Sequence, residues 1–163
     1  MTQSQKTLNI AHRGARSLAP ENTLAAARKG REIGADLWEL DVAVTADGEL
    51  VVLHDDTLDR TSNVAEIFPD RRKNLVYSFS MAELRRLDFG SWFVKTDPFK
   101  QIAAGAVSQA EQDKYKGEPI PTLREALVFT RDNHWRVNIE IKDASKTRAA
   151  DAVIVEKTVA LVK

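Results

Sequence analysis

The 163-residue chain contains no cysteine, so it has no disulfide framework, no thiolate metal site and no cysteine nucleophile. It also lacks any run of about 18 apolar residues, the minimum for an ordinary membrane-spanning helix. Net charge is missing as well. The 24 Lys and Arg balance 24 Asp and Glu, which argues against general electrostatic binding to nucleic acid or an anionic membrane. The opening MTQSQKTLN has none of the apolar stretch of a signal peptide, so a soluble, cytoplasmic protein is expected. There is no internal repeat and no low-complexity tract. The length suits one domain, or part of a larger one, with enough chain to bury a sizeable core.

What is present is an alternation of strand and helix signals. Residues 8–11 read as a strand, followed by a helix that starts near Asn22, after Pro20-Glu21, and stops at Gly34. A second strand covers 37–44. Its helix comes only much later, where Thr122 and Glu125 form a capping box behind Pro121. A third strand at 136–141 leads to a helix over 147–162. This pattern predicts an α/β fold built on a parallel sheet. Between the second strand and its helix lie 77 residues, 45–121, that break the alternation, a length usual for a functional segment. They include a returning hairpin arm, a short helix begun by Ser80 and Glu83, and a Gly90-Ser91-Trp92-Phe93 corner.

Two strands carry acids where a core strand should be apolar. Glu39 and Asp41 are two residues apart, so both project to one face, and Glu140 and Lys142 repeat the pattern on the third strand. Parallel strands are normally buried on both faces. If the two acidic faces meet, three carboxylates and an ammonium converge. Carboxylates so close raise one another's pKa unless a cation intervenes, and an all-oxygen donor set suits Mg²⁺ or Ca²⁺ rather than zinc.

The hairpin after the second strand carries a register argument. A two-residue turn at Asp47-Gly48 pairs Ala46 with Glu49, and counting outward sets Asp41 opposite His54. His12-Arg13-Gly14 follows the first strand directly, where α/β folds place their chemistry. The guanidinium of Arg13 is a donor fork suited to phosphate oxygens. His12 and His54 each end a strand, whereas His134 reads as a connector residue. Glu39, Asp41 and Glu140 against Arg13 and Lys142 leave one net negative charge. A divalent ion would turn that into one positive charge, matched to a monoanionic phosphodiester, with two imidazoles as acid and base.

Several stretches, in order along nearly the whole chain, resemble the glycerophosphodiester phosphodiesterase family. They are His12-Arg13-Gly14 with Pro20-Glu21-Asn22-Thr23, then Glu39-Leu40-Asp41, and His54-Asp55 with Leu58-Asp59-Arg60-Thr61. Leu87-Asp88 to Phe93, Ile120-Pro121-Thr122-Leu123 and Glu140-Ile141-Lys142 complete the series. The resemblance implies a (β/α)₈ TIM barrel of the phospholipase C-like type, here incomplete, with 1–163 as the N-terminal part of a single barrel domain and 55–117 as the small family insertion within it. It implies Glu39, Asp41 and Glu140 as ligands of one Mg²⁺ or Ca²⁺, His12 and His54 as the acid–base pair, and Arg13 and Lys142 as phosphate-binding cations. The implied reaction hydrolyses a glycerophosphodiester to glycerol 3-phosphate and an alcohol. A relation to spider-venom phospholipase D enzymes leaves a lysophospholipid substrate open.

One departure stands out. A full barrel needs roughly 250 residues and eight strands, and only three strand–helix units are present. An open sheet edge and an uncovered apolar interior are therefore expected, which invites self-association. A catalytically silent fragment acting as an assembly or binding module is the alternative reading.

Overall fold

A computed structural model describes residues 7–141 and 148–163. Its elements are β1 (Ile10–Ala11), α1 (Leu24–Glu32), β2 (Leu37–Val44), β3 (Leu50–Val52), α2 (Val64–Ile67), α3 (Met81–Leu84), α4 (Ser91–Thr96), α5 (Gln109–Tyr115), α6 (Leu123–Asp132), β4 (Val137–Ile141) and α7 (Arg148–Val162). The helix starts follow local chemistry. Ser80 with Glu83, Ser108 with Glu111 and Thr122 with Glu125 each form a reciprocal capping box. The helix expected from Asn22 begins one residue later. Thr23 is its cap, accepting from the Ala26 N–H at 3.1 Å, because Asn22 is turned into the left-handed region.

β2 is the centre of a mixed sheet. β1 runs parallel to it at Leu37 and Trp38, β4 parallel to it from Trp38 to Val42, and β3 antiparallel from Val42 to Val44. Trp38 pairs with both β1 and β4, and Val42 with both β3 and β4. Hence β1 and β3 share one edge of β2 and β4 takes the other. The three expected parallel strands are present, with the hairpin arm as the antiparallel member.

Alternation along β2 separates two environments. Trp38, Leu40, Val42 and Val44 enter a core with Ala27 of α1, Leu123 and Ala126 of α6, and Ile154 of α7. Glu39, Asp41 and Ala43 point the other way. Ala43 joins Val51, Leu53, Leu58, Phe79, Leu84 and Leu87 in a second core formed by the 55–117 segment. That segment is thus anchored on the same face of β2 as the acids, toward its C-terminal end.

The hairpin register differs from the expected one. The loop has three residues rather than two: Thr45 donates its N–H to Glu49 O at 3.0 Å, and Gly48, at φ +77°, donates to Thr45 O at 3.0 Å. This is a type I turn closed by a left-handed glycine. Val42 therefore faces Val52, and Leu53 donates to Asp41 O at 2.9 Å. Leu53, not His54, stands opposite Asp41. The cause is tertiary. Ala46 donates to Phe79 O at 2.8 Å, and Asp47 accepts from the Thr45 hydroxyl at 2.6 Å and the Met81 N–H at 3.0 Å. The turn is shaped by the segment it touches.

Candidate active site

Glu39 and Asp41 are 5 % and 0 % exposed on β2, and Asp41 is the register partner of Glu140 on β4. One ligand oxygen from each of Glu39, Asp41 and Glu140 lies within 4.8 Å of the others. Glu39 Oε2 accepts the Arg13 N–H at 2.8 Å, while its buried Oε1 has no hydrogen-bond partner among the described residues. Burial, then repulsion from Asp41 and Glu140, pushes the Glu39 carboxyl up, against the pull of the Arg13 N–H. A hard cation would satisfy Oε1 and reverse that penalty, and the spacing suits an ion with oxygen bonds of about 2.4 Å. The donor set fits the expected metal.

The loop after β1 brings the next groups. His12 Nε2 is 3.7 Å from Glu39 Oε2. Burial, then the positive charges of Arg16 and Arg13, lowers its pKa despite Asp41 and Glu140. Arg13 and Gly14 adopt successive left-handed conformations, at φ 56° and 74°. A non-glycine residue there is strained, and such strain gathers at functional loops. The twist brings the Arg13 side chain over the acids: NH1 donates to Glu21 Oε1 at 3.0 Å and Nε lies 3.4 Å from Asp41 Oδ2.

Gly14 makes this loop possible. A Cβ there would lie 2.6 Å from the Ala26 carbonyl carbon, at a φ that L side chains avoid. Gly14→Ala is expected to cost about 2–4 kcal/mol in urea unfolding, from backbone strain plus overpacking. A loss below about 1 kcal/mol would show that the loop can relax.

Asn22, also left-handed at φ 56°, holds Asp41 from two sides. Its Nδ2 donates to Asp41 Oδ2 at 2.8 Å, and its Oδ1 accepts the Asp41 N–H at 3.3 Å. Glu21, 7 % exposed, joins two arginines: besides Arg13 it accepts Arg60 NH1 and NH2 at 2.9 and 2.8 Å. Arg60 also donates through Nε and NH2 to Asp55 at 2.6 and 2.9 Å, and Asp55 Oδ1 meets His54 Nδ1 at 2.7 Å. His54, displaced from Asp41 by the hairpin register, is thus tied into the site through Asp55, Arg60 and Glu21. Sequence reasoning did not give Glu21, Asn22 and Arg60 these contacts, because Arg60 and Glu21 meet across 39 positions and Asn22 reads as a helix cap. Lys142 lies outside the described residues.

Burial works to raise the Asp55 carboxyl, but the bonds from Arg60 and His54 hold it at about 2. Lys29 and Ser108 likewise hold Glu111 at about 2. Both folded-state values lie below the ordinary ones, so their stabilisation is complete above about pH 4.5 and is lost as pH falls toward 2. Unfolding midpoints should fall across that window, and Asp55→Asn should flatten the decline. Glu39 and Glu118, both raised by burial first, gain on protonation and soften it. An identical slope in the Asn variant would contradict the assignment.

Two other sequence features have structural roles. Arg71 pairs with Glu83, and Arg72 and Lys73 both pair with Asp59, so this basic run is compensated. Phe93 is fully buried against Tyr115, and Trp92 anchors its Nε1 on Phe89 O at 2.9 Å.

The sequence profile of the glycerophosphoryl diester phosphodiesterase family matches residues 12–163. The chain belongs to that family. It is 44 % identical over 118 residues to a glycerophosphoinositol inositolphosphodiesterase of Mus musculus, covering 72 % of this chain and 22 % of that protein. It is 42 % identical over 137 residues to a glycerophosphodiester phosphodiesterase of Caldanaerobacter subterraneus subsp. tengcongensis, covering 84 % and 46 %. A solved phosphodiesterase of Oleispira antarctica, in complex with the product sn-glycerol-3-phosphate, superposes with a TM-score of 0.73 at 30 % identity. That match covers 96 % of this chain and 51 % of the other. The chain therefore spans about half the length of this solved relative, and less of the two curated ones. Its α/β structure with a mixed sheet superposes on about half the length of the family's TIM-barrel members. Among the described residues, no helix is long and apolar enough to cross a membrane.

Proposed function

We propose that the chain carries the metal- and phosphate-binding side of a glycerophosphodiester phosphodiesterase, which hydrolyses its substrate to glycerol 3-phosphate and an alcohol. The observation that carries this reading is the convergence of Glu39, Asp41 and Glu140 beside His12 and Arg13. The Oleispira relative's complex with sn-glycerol-3-phosphate supports the product class. Glu39, Asp41 and Glu140 would hold one Mg²⁺ or Ca²⁺, which when bound supplies charge stabilisation to the phosphoryl oxygens. Arg13 is the planar phosphate donor, and Lys142 is proposed as the second cation. His12, with its lowered pKa, is a neutral imidazole near pH 7 and can take or return a proton. His54, with Nδ1 on Asp55, has Nε2 for the same task.

In the first step a glycerol hydroxyl forms its bond to phosphorus as the bond to the leaving alcohol breaks. One histidine takes the hydroxyl proton and the other protonates the departing oxygen. Water then opens the cyclic phosphate with the two roles exchanged. We assign 55–117 as the family insertion of one domain, and the sheet as part of an eight-stranded barrel.

The test is release of glycerol 3-phosphate from glycerophosphodiesters differing in alcohol, with Mg²⁺ or Ca²⁺ and then with chelator. His12→Ala should lower kcat by about 10²-fold or more. Hydrolysis that ignores both the chelator and the substitution would sink the reading.

A second reading, association through the open side, has its own observation. Among the described residues β4 pairs only with β2, and Ile141, Val153, Val155 and Val159 are exposed. Sedimentation should then show concentration-dependent dimers or larger species, and a monomer at all concentrations would remove this reading.

A further inference from the structure

We propose that Arg60 is a positioning residue of this reaction, locking the His54 ring and the Arg13 guanidinium into one register through a shared pair of carboxylates. The inference rests on the function proposed above. Its foundation is geometric. Four hydrogen bonds fix one guanidinium: NH1 and NH2 on Glu21, at 2.9 and 2.8 Å, and Nε and NH2 on Asp55, at 2.6 and 2.9 Å. The aromatic face of Trp92 backs it, 5.7 Å from ring centroid to guanidinium carbon. Arg60 is nevertheless 45 % exposed at its side chain. A long exposed side chain ordinarily keeps its rotamer freedom, so this degree of fixation marks a built arrangement rather than a passing surface pair.

Each anchor has a further partner. Glu21 holds Arg13 NH1 at 3.0 Å, and Asp55 holds His54 Nδ1 at 2.7 Å. Asp55 is ionised at neutral pH, so the facing Nδ1 must be the protonated nitrogen, which leaves Nε2 as the acceptor of the neutral ring. Asp55 is a short side chain adjacent to His54 in sequence, and apart from the His54 ring itself Arg60 is its partner among these contacts that opposes rotation into solvent. A lysine could not replace the fork, because a single ammonium cannot bridge two carboxylates with four directed bonds.

The experiment compares wild type, Arg60→Met, Arg60→Lys, Asp55→Asn and the Arg60→Met/Asp55→Asn double variant. Long-range ¹H–¹⁵N correlation of the histidine rings is the first readout, and only three histidines contribute signals. Wild type should show one imidazole held as the Nδ1–H tautomer, a signal absent from His54→Gln. Arg60→Met should return it to the Nε2–H form usual for free imidazole, with Arg60→Lys close behind. In turnover, Arg60→Met should lower kcat about 10–100-fold with KM changed less than about threefold. Adding it to Asp55→Asn should cost far less than the product of the two single losses, since both act on the Asp55–His54 contact and only the Glu21–Arg13 branch remains to be lost. An unchanged tautomer in Arg60→Met, or losses that multiply in the double variant, would overturn the proposal. The ring signals need no turnover, so an inactive wild type would count against the proposed function while still judging Arg60.

Discussion

Glu39→Gln should raise the stability of the metal-free protein at pH 7 and at the same time lower turnover about a thousandfold. The two effects have one origin. The Glu39 carboxyl is 5 % exposed, and burial, with Asp41 and Glu140 beside it, pushes its pKa up. A carboxyl raised in the folded state costs stability once ionised, and that cost fades as pH falls through its folded-state value. The amide oxygen of Gln can still accept the Arg13 N–H, while its NH₂ meets acceptors instead of like charges. The metal-free variant should therefore melt above wild type at pH 7, with the gap closing in acid. Metal reverses the order. At 100 times its Kd an ion adds about 2.7 kcal/mol to the native state that binds it, and the variant should lose most of this response. Several kcal/mol of charge stabilisation on the phosphoryl group go with it, which sets the thousandfold figure. Calorimetry with and without millimolar Ca²⁺ or Mg²⁺, beside initial rates, is the measurement. A metal-free variant less stable than wild type, with its metal response intact, would mean that Glu39 is a structural acceptor and no ligand.

Trp38→Ala should remove about 4 kcal/mol or more of folding stability, a large part of the 5–15 kcal/mol usual for a domain. Trp38 is fully buried at the one position of β2 that pairs with both β1 and β4. Its ring stacks on Trp135 at 6.2 Å and meets Phe129 edge-on at 6.4 Å. Its Nε1 donates to Thr130 Oγ1 at 2.9 Å, and that hydroxyl donates in turn to Ala126 O at 2.8 Å. The indole thus ties the sheet to α6 through both packing and a hydrogen bond. Trp38→Phe keeps most of the packing and drops only the donor, so about 1–2 kcal/mol is expected. Urea unfolding of both variants tests this. A Trp38→Ala loss under about 1.5 kcal/mol would show that the layer between sheet and α6 is loosely filled.

The legible parts of the sequence were those set by near neighbours. The bounds of β2, the capping boxes at Ser80 and Thr122, and the same-face spacing of Glu39 and Asp41 all follow from residues two to four apart. Given two parallel acidic strands, the approach of Glu140 to Asp41 followed too. What was not legible depended on distant partners. The hairpin turn takes its third residue because Phe79 O and the Met81 N–H engage Ala46 and Asp47, and nothing within 45–49 announces those groups. Glu21 and Arg60 are ordinary charged residues until folding brings them together. Asn22 carries the composition of a helix cap, yet its amide is spent on Asp41 and Thr23 caps the helix. α4 and α5 were hidden in a polar stretch whose periodicity is too short to stand out.

The alternation of β2 has a consequence for how this sequence can drift. Even-numbered positions from Trp38 to Val44 answer to the packed layer, and Glu39 and Asp41 belong to the proposed metal site. A saturation library across the eight residues, sorted once for folding and once for turnover, should yield two interleaved alphabets. The folding sort would admit many residues at 39 and 41 that the turnover sort rejects. At 38, 40 and 42 the two sorts would agree. One strand then carries two independent messages, and selection can edit either without rewriting the other.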